Sequence, residues 1–293
     1  MANLKDIRVR INSVKSTRQV TSAMKMVSAA KFKKAQDNVE HVRPFLSKLL
    51  EISSFLGSSI DDVDSAFGYA SPKKGKVLLL AIASNKGLAG AFNSSVVKEV
   101  ERMLKNELSD ELSKGELEVK AVGKQVVKGL LSRHIEVCGN YNDILDTLTR
   151  ESVYSLANDL LSSFANGTYR KIILVYNKFV NAAVQNVVAT QLLPLQLNEV
   201  DDKSSAYLDF IVEPNKAEVL QDMVPQVEQA VLLASFYESL ASEHGARMTS
   251  MNKATDNATE LLGELQLQYN KARQGAITNE LIEIVSGAEA LNN

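Results

Sequence analysis

The most regular pattern of apolar positions lies in the last quarter of the chain. Its positions alternate in steps of four and three residues, which is the spacing of a helix that buries one narrow stripe in a coiled coil. The pattern predicts a single long helix over 215–293. Its seam consists of Met223, Val227, Ala230, Ala234, Tyr237, Ala241, His244, Met248, Met251, Thr255, Ala258, Leu262, Leu265, Tyr269, Ala272 and Ala276.

The start of the chain repeats this spacing and predicts a second long helix over 1–57. Because two such seams can cover each other, we expect the N- and C-terminal helices to form a long antiparallel coiled coil. Polar seam positions leave an ordinary helical bundle with imperfect heptads as the alternative. The first seam consists of Leu4, Ile7, Ile11, Val14, Thr17 or Arg18, Thr21, Met24, Ser28, Lys31 and Ala35, and then Val39, Val42, Leu46, Leu49, Ser53 and Leu56.

The middle of the chain, 70–214, changes from the helical period to short apolar runs. Strands are predicted over 76–84, 116–122, 135–139 and 170–180, and β texture continues over 187–195 and 207–214. Helices are predicted over 123–134 and 149–167, the second capped by Thr149 and stopped by Gly167. Alternating strands and helices predict a Rossmann-like α/β domain with a mostly parallel sheet. The fold class is therefore α/β: this central domain plus the long coiled coil.

A glycine-bearing turn, SNKGLAGAFN (84–93), follows the first strand at a place where many nucleotide sites begin. It lacks the GxxxxGK[ST] spacing of a P-loop, and Gly87 and Gly90 give GxxG rather than GxGxxG. We therefore expect geometry to explain both glycines, with Gly87 supplying a positive φ and Gly90 allowing close packing. A nucleotide-dependent enzyme built on this domain remains an alternative, but no cofactor is predicted.

Composition narrows the function classes further. The 293 residues carry a formal net charge of −2 and are 45% hydrophobic, as in a globular protein. A single cysteine, Cys138, and three histidines make a cysteine- or histidine-based metal site improbable on composition. GxSxG and HExxH motifs are absent, so no catalytic or metal residue is predicted. His244 is expected to be a buried or hydrogen-bonded seam residue.

Charge is distributed unevenly along the chain. Up to residue 48 the chain contains eleven basic and only three acidic residues. This excess gives the first helix a positive electrostatic potential that favours negatively charged partners. Nucleic acid is not favoured, because Phe32 is the only aromatic residue among the basic residues from Lys5 to Lys34 and stacking needs more. An acidic protein partner fits the same charge.

Three stretches resemble the gamma subunits of F-type ATP synthases. They are VTSAMKMVSAAKFKKAQ (20–36), SNKGLAGAFN (84–93) and the C-terminal stretch 246–291. The resemblance spans the whole chain. The central stretch departs from the family motif D-[KR]-G-L-C-G-x-[FL]-N at two positions, where Asn85 replaces the acid and Ala89 the cysteine, and it has Ala91 at the variable position, where a glycine is common.

The resemblance implies a non-catalytic rotor shaft that couples proton-driven rotation of the c ring to ATP synthesis or hydrolysis. Its implied partners are the alpha and beta subunits around the shaft, the epsilon subunit and the c ring. It implies a lower beta-subunit contact at Met24, Lys25 and Arg247. It implies an upper contact at Arg273, Gln274 and Thr278, and a c-ring or epsilon contact at Phe210, Val212 and Glu213.

The resemblance also implies a peripheral location on the cytoplasmic face of a bacterial inner membrane, with membrane association only through the complex. A structural coiled-coil adaptor without a motor role is the other alternative that the residues leave open.

Overall fold

A computed structural model describes residues 4–58, 74–195 and 211–291, with side chains up to residue 288. Along the chain, a long helix precedes the central α/β region and another long helix follows it. The elements in chain order are α1 (Leu4–Ser58), β1 (Lys76–Ile82), α2 (Phe92–Asn106), α3 (Ser109–Ser113), β2 (Leu117–Val122), α4 (Lys124–Leu131), β3 (Gly139–Asn140), a 3-10 turn (Asn142–Leu145), α5 (Arg150–Ala165), β4 (Tyr169–Phe179), β5 (Gln185–Leu193) and α6 (Lys216–Leu291).

The two long helices confirm the heptad interpretation. Helix α1 has 55 residues and α6 has 76, and each continues through an internal proline, Pro44 and Pro225. At a rise of 1.5 Å per residue, α6 is about 114 Å long. Helix α1 ends one residue after the predicted 57, and α6 begins one residue after the predicted 215.

The five strands form one sheet in the order β3-β2-β1-β4-β5. Strand β1 is parallel to both neighbours, with Leu79 opposite Val119 on one side and Ile173 on the other. Strand β5 is antiparallel to β4. The predicted mostly parallel α/β sheet is therefore confirmed.

The apolar residues of β1 alternate between two cores because successive side chains of a strand point to opposite faces. Val77, Leu79 and Ala81 pack with α2 and α4 on one face. Leu78, Leu80 and Ile82 pack on the other face with α5 and with a buried stretch of α6 around Phe236. A sheet covered by helices on both faces explains the continuous apolar run of β1.

Local signals placed the helix before β4 correctly. The Thr149 hydroxyl accepts a hydrogen bond from the Ser152 backbone N–H, and the Ser152 hydroxyl oxygen accepts one from the Thr149 N–H, so that a reciprocal capping box starts α5. Gly167 ends the segment with a φ of 73°. The predicted cap and stop are both confirmed.

Two strand predictions were wrong in extent. The predicted strand over 135–139 is reduced to the short β3, because only Gly139 and Asn140 pair in register with β2, opposite Lys120 and Ala121. Of the predicted β texture over 207–214, residues 211–214 are not a strand and precede the start of α6. Residues 207–210 lie outside the described residues.

The described chain divides into two compact units, and the division falls within both long helices. The first, here called the terminal helix pair, comprises 4–28 of α1 and 248–291 of α6. The second, the central unit, comprises the described residues between 29 and 247, with the sheet.

The terminal helix pair buries its seam and little else. In α6, the positions from Met251 to Ala276 that are buried or half-buried are mainly those of the predicted seam. The pairing is antiparallel, since Arg8 contacts Tyr269, Thr21 contacts Thr255 and Lys25 contacts Asn252. The predicted antiparallel coiled coil is thus confirmed for this unit.

The first seam needs two corrections. At the position left open between residues 17 and 18, Arg18 is half-buried and Thr17 is exposed. Lys31 is also exposed, and its predicted inward position is taken by Phe32. The Phe32 ring packs edge-on against the Phe179 ring at 5.6 Å, so the apolar requirement of the core decides which neighbour turns inward.

Candidate functional site

The turn that follows β1 is held by its own polar side chains. The Ser84 hydroxyl donates to the Lys86 carbonyl oxygen over 2.6 Å and lies 2.8 Å from the Asn93 carboxamide oxygen. The backbone N–H of Ser84 donates to the same oxygen of Asn93 over 3.1 Å. These bonds fix residues 84–91, here called the 84–91 turn, at the carboxyl end of β1.

One glycine of the turn does not act as predicted. Gly87 does not adopt a positive φ; Leu88 does, with a φ of 61°, and Gly90 follows with 58°. A left-handed leucine costs of the order of 1 kcal/mol or more, so it persists only where surrounding contacts determine the backbone. The Leu88 side chain nevertheless remains 64% exposed. The turn thus presents a large apolar side chain to solvent on a constrained backbone.

Arg247 on α6 adds a second set of contacts to this turn. Its Nη2 donates to the Lys86 carbonyl oxygen over 3.0 Å, and its Nε donates to the Gly87 carbonyl oxygen over 3.2 Å. Its Nη1 lies 2.6 Å from the carboxylate of Glu243, one helical turn earlier. Both side chains of this ion pair are buried. The turn therefore directs carbonyl oxygens toward a cation rather than amides toward an anion.

Burial dominates the electrostatics around Arg247. It raises the pKa of the Glu243 carboxyl, while the nearby Arg247 guanidinium acts in the opposite direction. It lowers the pKa of His244 to about 4, and the positive charges of Arg247, Lys31 and Lys86 act in the same direction. His244 is therefore neutral at pH 7. Its predicted role as a buried seam residue is confirmed.

Lys31 and Lys86 give this part of the central unit an exposed positive rim. Both lysines are exposed, and both are close enough to Glu243 to affect its titration. The charges here are those of two lysines and one arginine against one buried carboxylate. Together with the exposed Leu88, they form a surface suited to a partner that carries carboxylates beside apolar groups.

Helix α6 occupies the crevice where an open α/β sheet usually binds its ligand. That crevice lies outside the carboxyl ends of the strands at the point where strand order reverses, here between β1 and β4. The Ser242 hydroxyl donates to the carbonyl oxygen of Asn177 on β4 over 3.1 Å. Arg247 contacts the turn after β1. The position expected for a dinucleotide is therefore filled by side chains of the chain itself.

The lower contact residues predicted in α1 lie in the terminal helix pair. Met24 is half-buried at the seam, and the ammonium group of Lys25 donates to the side-chain oxygen of Asn252. Arg247 lies in the central unit and uses its three guanidinium nitrogens within it. Contact of these three residues with a beta subunit remains a prediction.

The upper contact residues predicted in α6 are all exposed. Arg273, Gln274 and Thr278 lie outside the seam, and the Thr278 hydroxyl donates to the Gln274 carbonyl oxygen one turn earlier. Large apolar side chains near them are also exposed, at Ile277, Leu281, Ile282, Ile284 and Val285.

The predicted c-ring or epsilon contact lies just before α6. Val212 is half-buried and packs near Leu56 and Leu220, whereas Glu213 is exposed. Phe210 lies outside the described residues. The contact of Val212 and Glu213 with a c ring or an epsilon subunit remains a prediction.

The sequence reasoning missed Glu243, Lys86 and Asn85 as members of this site. Glu243 and Arg247 are four residues apart in a predicted helix, a spacing that places two side chains on one face and could have indicated the ion pair. No sequence signal connected them to the 84–91 turn, which is more than 150 positions away.

Two features are absent from the described part of the chain. None of its helices is long and apolar enough to span a membrane. Within the same residues, no cluster of three or more histidine, cysteine, aspartate or glutamate side chains is arranged to hold a metal ion.

The chain resembles proteins of known family along its full length. The profile of a family described as ATP synthase matches residues 3–291. An ATP synthase gamma chain from Flavobacterium johnsoniae is 50% identical over 293 residues, and one from Christiangramia forsetii is 46% identical over the same length. In each case the alignment covers all of both chains.

A solved structure agrees with the fold. A chain from the central stalk and c-ring structure of the Tetrahymena thermophila mitochondrial ATP synthase superposes with a TM-score of 0.54 and 25% identity. The superposition covers 80% of the present chain and 99% of the Tetrahymena chain.

Proposed function

The chain belongs to the ATP synthase gamma chain family, and we propose that it is the non-catalytic central rotor shaft of the enzyme. Rotation of a c ring would turn the shaft, and the shaft would drive the beta subunits through their nucleotide states. One asymmetric shaft biases each of several equivalent partners differently, because each meets a different face of it.

The end of α6 carries this proposal. Beyond Met251 only a narrow stripe is buried, while Arg273, Gln274 and a run of large apolar side chains are exposed. Exposed apolar surface of this kind marks an interaction site. We therefore assign the upper beta-subunit contact to Arg273, Gln274 and Thr278, with the surrounding alpha and beta subunits covering the apolar residues.

A lower contact with the beta subunits is proposed at two places. In the terminal helix pair it involves Met24 and Lys25. In the central unit, Arg247 would contribute through the 84–91 turn that it holds, and exposed Lys86 and Leu88 would meet the partner. The acidic segments of the family's beta subunits, which the resemblance implies, match this charge.

The base of the rotor is assigned to the segment before α6. We propose that Phe210, Val212 and Glu213 contact the c ring or the epsilon subunit. The matching Tetrahymena chain comes from a structure of a central stalk with its c-ring, which supports a c ring as partner. The proposed location is peripheral, on the cytoplasmic face of a bacterial inner membrane.

Truncation after Asn270 tests the shaft function. In complexes assembled with the truncated chain, we expect coupled ATP synthesis in membrane vesicles to be strongly impaired, because the upper contact is removed. The central unit should still fold, since its cores lie outside the deleted residues. Normal coupling in the truncated complex would overturn the proposal.

The two alternatives give different results in simple assays. An adaptor without a motor role would leave ATP synthesis unchanged after truncation even if the chain still bound its partners. A nucleotide-dependent enzyme would bind ATP saturably in calorimetry of the purified full chain. We expect no saturable binding, because α6 fills the crevice between β1 and β4. Co-purification with an alpha–beta hexamer is expected.

A further inference from the structure

Asn85 lies where the carboxyl ends of three parallel strands meet. Its side-chain amide group donates to the Asp146 carboxylate over 2.9 Å and to the Asn142 carbonyl oxygen over 3.0 Å. Its side-chain oxygen accepts a hydrogen bond from the Lys124 backbone N–H over 3.0 Å. One side chain thereby joins the turn after β1 to the segments that follow β2 and β3.

The bonds around Asn85 require a carboxamide. A carboxamide donates and accepts at once, whereas a carboxylate only accepts. An aspartate at position 85 would keep the bond from Lys124, lose both donated bonds and place a second negative charge beside Asp146. Like charges this close disfavour each other, although the exposure of Asp146 reduces the penalty. Asn85, where the family motif has an acid, is therefore matched to Asp146.

The same turn is held at its next two residues by helix α6. Arg247 donates to the carbonyl oxygens of Lys86 and Gly87, immediately after Asn85. Asn85 thus fixes the turn to the sheet, and Arg247 fixes it to the helix. Close packing reinforces the first attachment, since a Cβ added to Gly123 would meet the backbone of Ala83 and Ser84 at 2.9 Å.

We propose that Asn85, through its pairing with Asp146, is a positioning residue that ties the 84–91 turn of the central sheet to the rotor helix, in addition to the direct packing of α6 on the sheet. It sets the 84–91 turn so that its carbonyl oxygens meet Arg247, and torque passes between sheet and helix through this contact. The inference rests on the proposed rotor function. It adds that the contact between Arg247 and the 84–91 turn transmits torque within the central unit.

The test uses assembled complexes that carry Asn85→Asp, with Asn85→Asp/Asp146→Asn as the rescue. The ratio of ATP-driven proton pumping to ATP hydrolysis measures coupling. We expect Asn85→Asp to lower this ratio about threefold or more, and the double variant to recover most of it, as interacting neighbours should. Asn106→Asp, which adds the same charge at an exposed position at the end of α2, should leave the ratio unchanged.

Hydrogen exchange in the same complexes separates positioning from general stability. Asn85→Asp should accelerate amide exchange in 84–91 and leave β5 unchanged, and the double variant should restore protection. If Asn85→Asp prevents assembly, Asn85→Ser carries the test, since it loses the bridges without adding charge. A coupling ratio equal to that of Asn106→Asp, or no recovery in the double variant, overturns the inference.

The outcome is distinguishable from failure of the proposed function. If truncation after Asn270 abolishes coupling while Asn85→Asp and Asn85→Ser do not affect it, the chain is a rotor and this link is wrong. If the truncated complex couples normally, the rotor function itself is wrong.

Discussion

Two stretches of the same helix α6 differ in how far their polar side chains are buried. From Val227 to Arg247 every residue is buried or half-buried, although the stretch contains glutamates, serines, a histidine and an arginine. Beyond Met251 only the seam is buried, and from residue 277 to 288 all side chains are exposed. The helical backbone is continuous, so the surroundings alone distinguish the stretches.

The buried stretch satisfies most of its polar groups within the chain. Glu238 pairs with Arg43 over 2.8 Å, Glu243 pairs with Arg247, and the Ser242 hydroxyl donates to β4. Removing one partner of a buried pair leaves an unpaired charge, whereas an exposed residue exchanges protein contacts for water. Substitutions should therefore cost much in the first stretch and little in the second, unless a partner covers it.

Replacing Arg247 with methionine should give the largest effect. The free energy of unfolding of the full chain, measured with urea at pH 7, should fall by about 3–5 kcal/mol, because Glu243 remains buried without its partner. Adding Glu243→Gln should recover part of the loss by removing that charge. A loss below about 1 kcal/mol for Arg247→Met would contradict the internal role that we assign to this residue.

Glu228 predicts a pH dependence in the buried stretch. Neither of its carboxylate oxygens has a hydrogen-bond partner among the described residues, and burial raises its pKa to about 8. Between its unfolded pKa and pH 8, the unfolded state is ionised while the folded state keeps its proton, so stability falls as pH rises. From pH 5 to 8 we expect a loss of about 2–4 kcal/mol from this group.

The Glu228→Gln variant isolates this contribution. Glutamine has nearly the same shape and does not titrate, so the difference in unfolding free energy between the two proteins should widen from pH 5 to 8. His244 acts at lower pH: its pKa of about 4 makes stability fall as pH drops below about 6.5, equally in both proteins. A difference that does not change with pH would show that Glu228 is ionised in the folded protein.

Two glycines of α6 provide the smallest and most closely matched comparison. A Cβ on Gly245 would meet the Cα and carbonyl oxygen of Ala182 at 3.2 Å, whereas a Cβ on Gly263 meets nothing within 4 Å. Gly245→Ala should therefore lower the free energy of unfolding by about 0.5–1.5 kcal/mol, because crowding exceeds the gain in helix propensity. Gly263→Ala should raise the free energy of unfolding by about 0.5–1 kcal/mol, because only the gain in helix propensity applies. If both variants shifted the melting temperature in the same direction, the packing difference that we infer between the two stretches of α6 would be wrong.

Much of the fold followed from local patterns, whereas the candidate site did not. The seam from Met251 to Ala276, the strands and the Thr149 cap are encoded by residues close together in the chain. The site brings Asn85 and Lys86 together with Arg247, which lies far from them in the chain, and no local sequence pattern predicts such a contact. The strand predicted at 135–139 was too long for the same reason, since pairing with β2 decides its length.

Local sequence patterns were enough to predict the period of the two terminal helices, the α/β character of the middle of the chain and the family. The helical period and the α/β character depend on side chains that are close together in the chain. The family depends on sequence motifs that can be recognised without a structure. Long-range contacts in the folded chain set two features that no local pattern predicts. Leu88 rather than Gly87 takes the left-handed conformation, and Arg247 turns inward to contact the 84–91 turn. Both outcomes depend on helix α6 filling the crevice at the end of the sheet, where the carbonyl oxygens of the turn and the buried Glu243 carboxylate surround a cation.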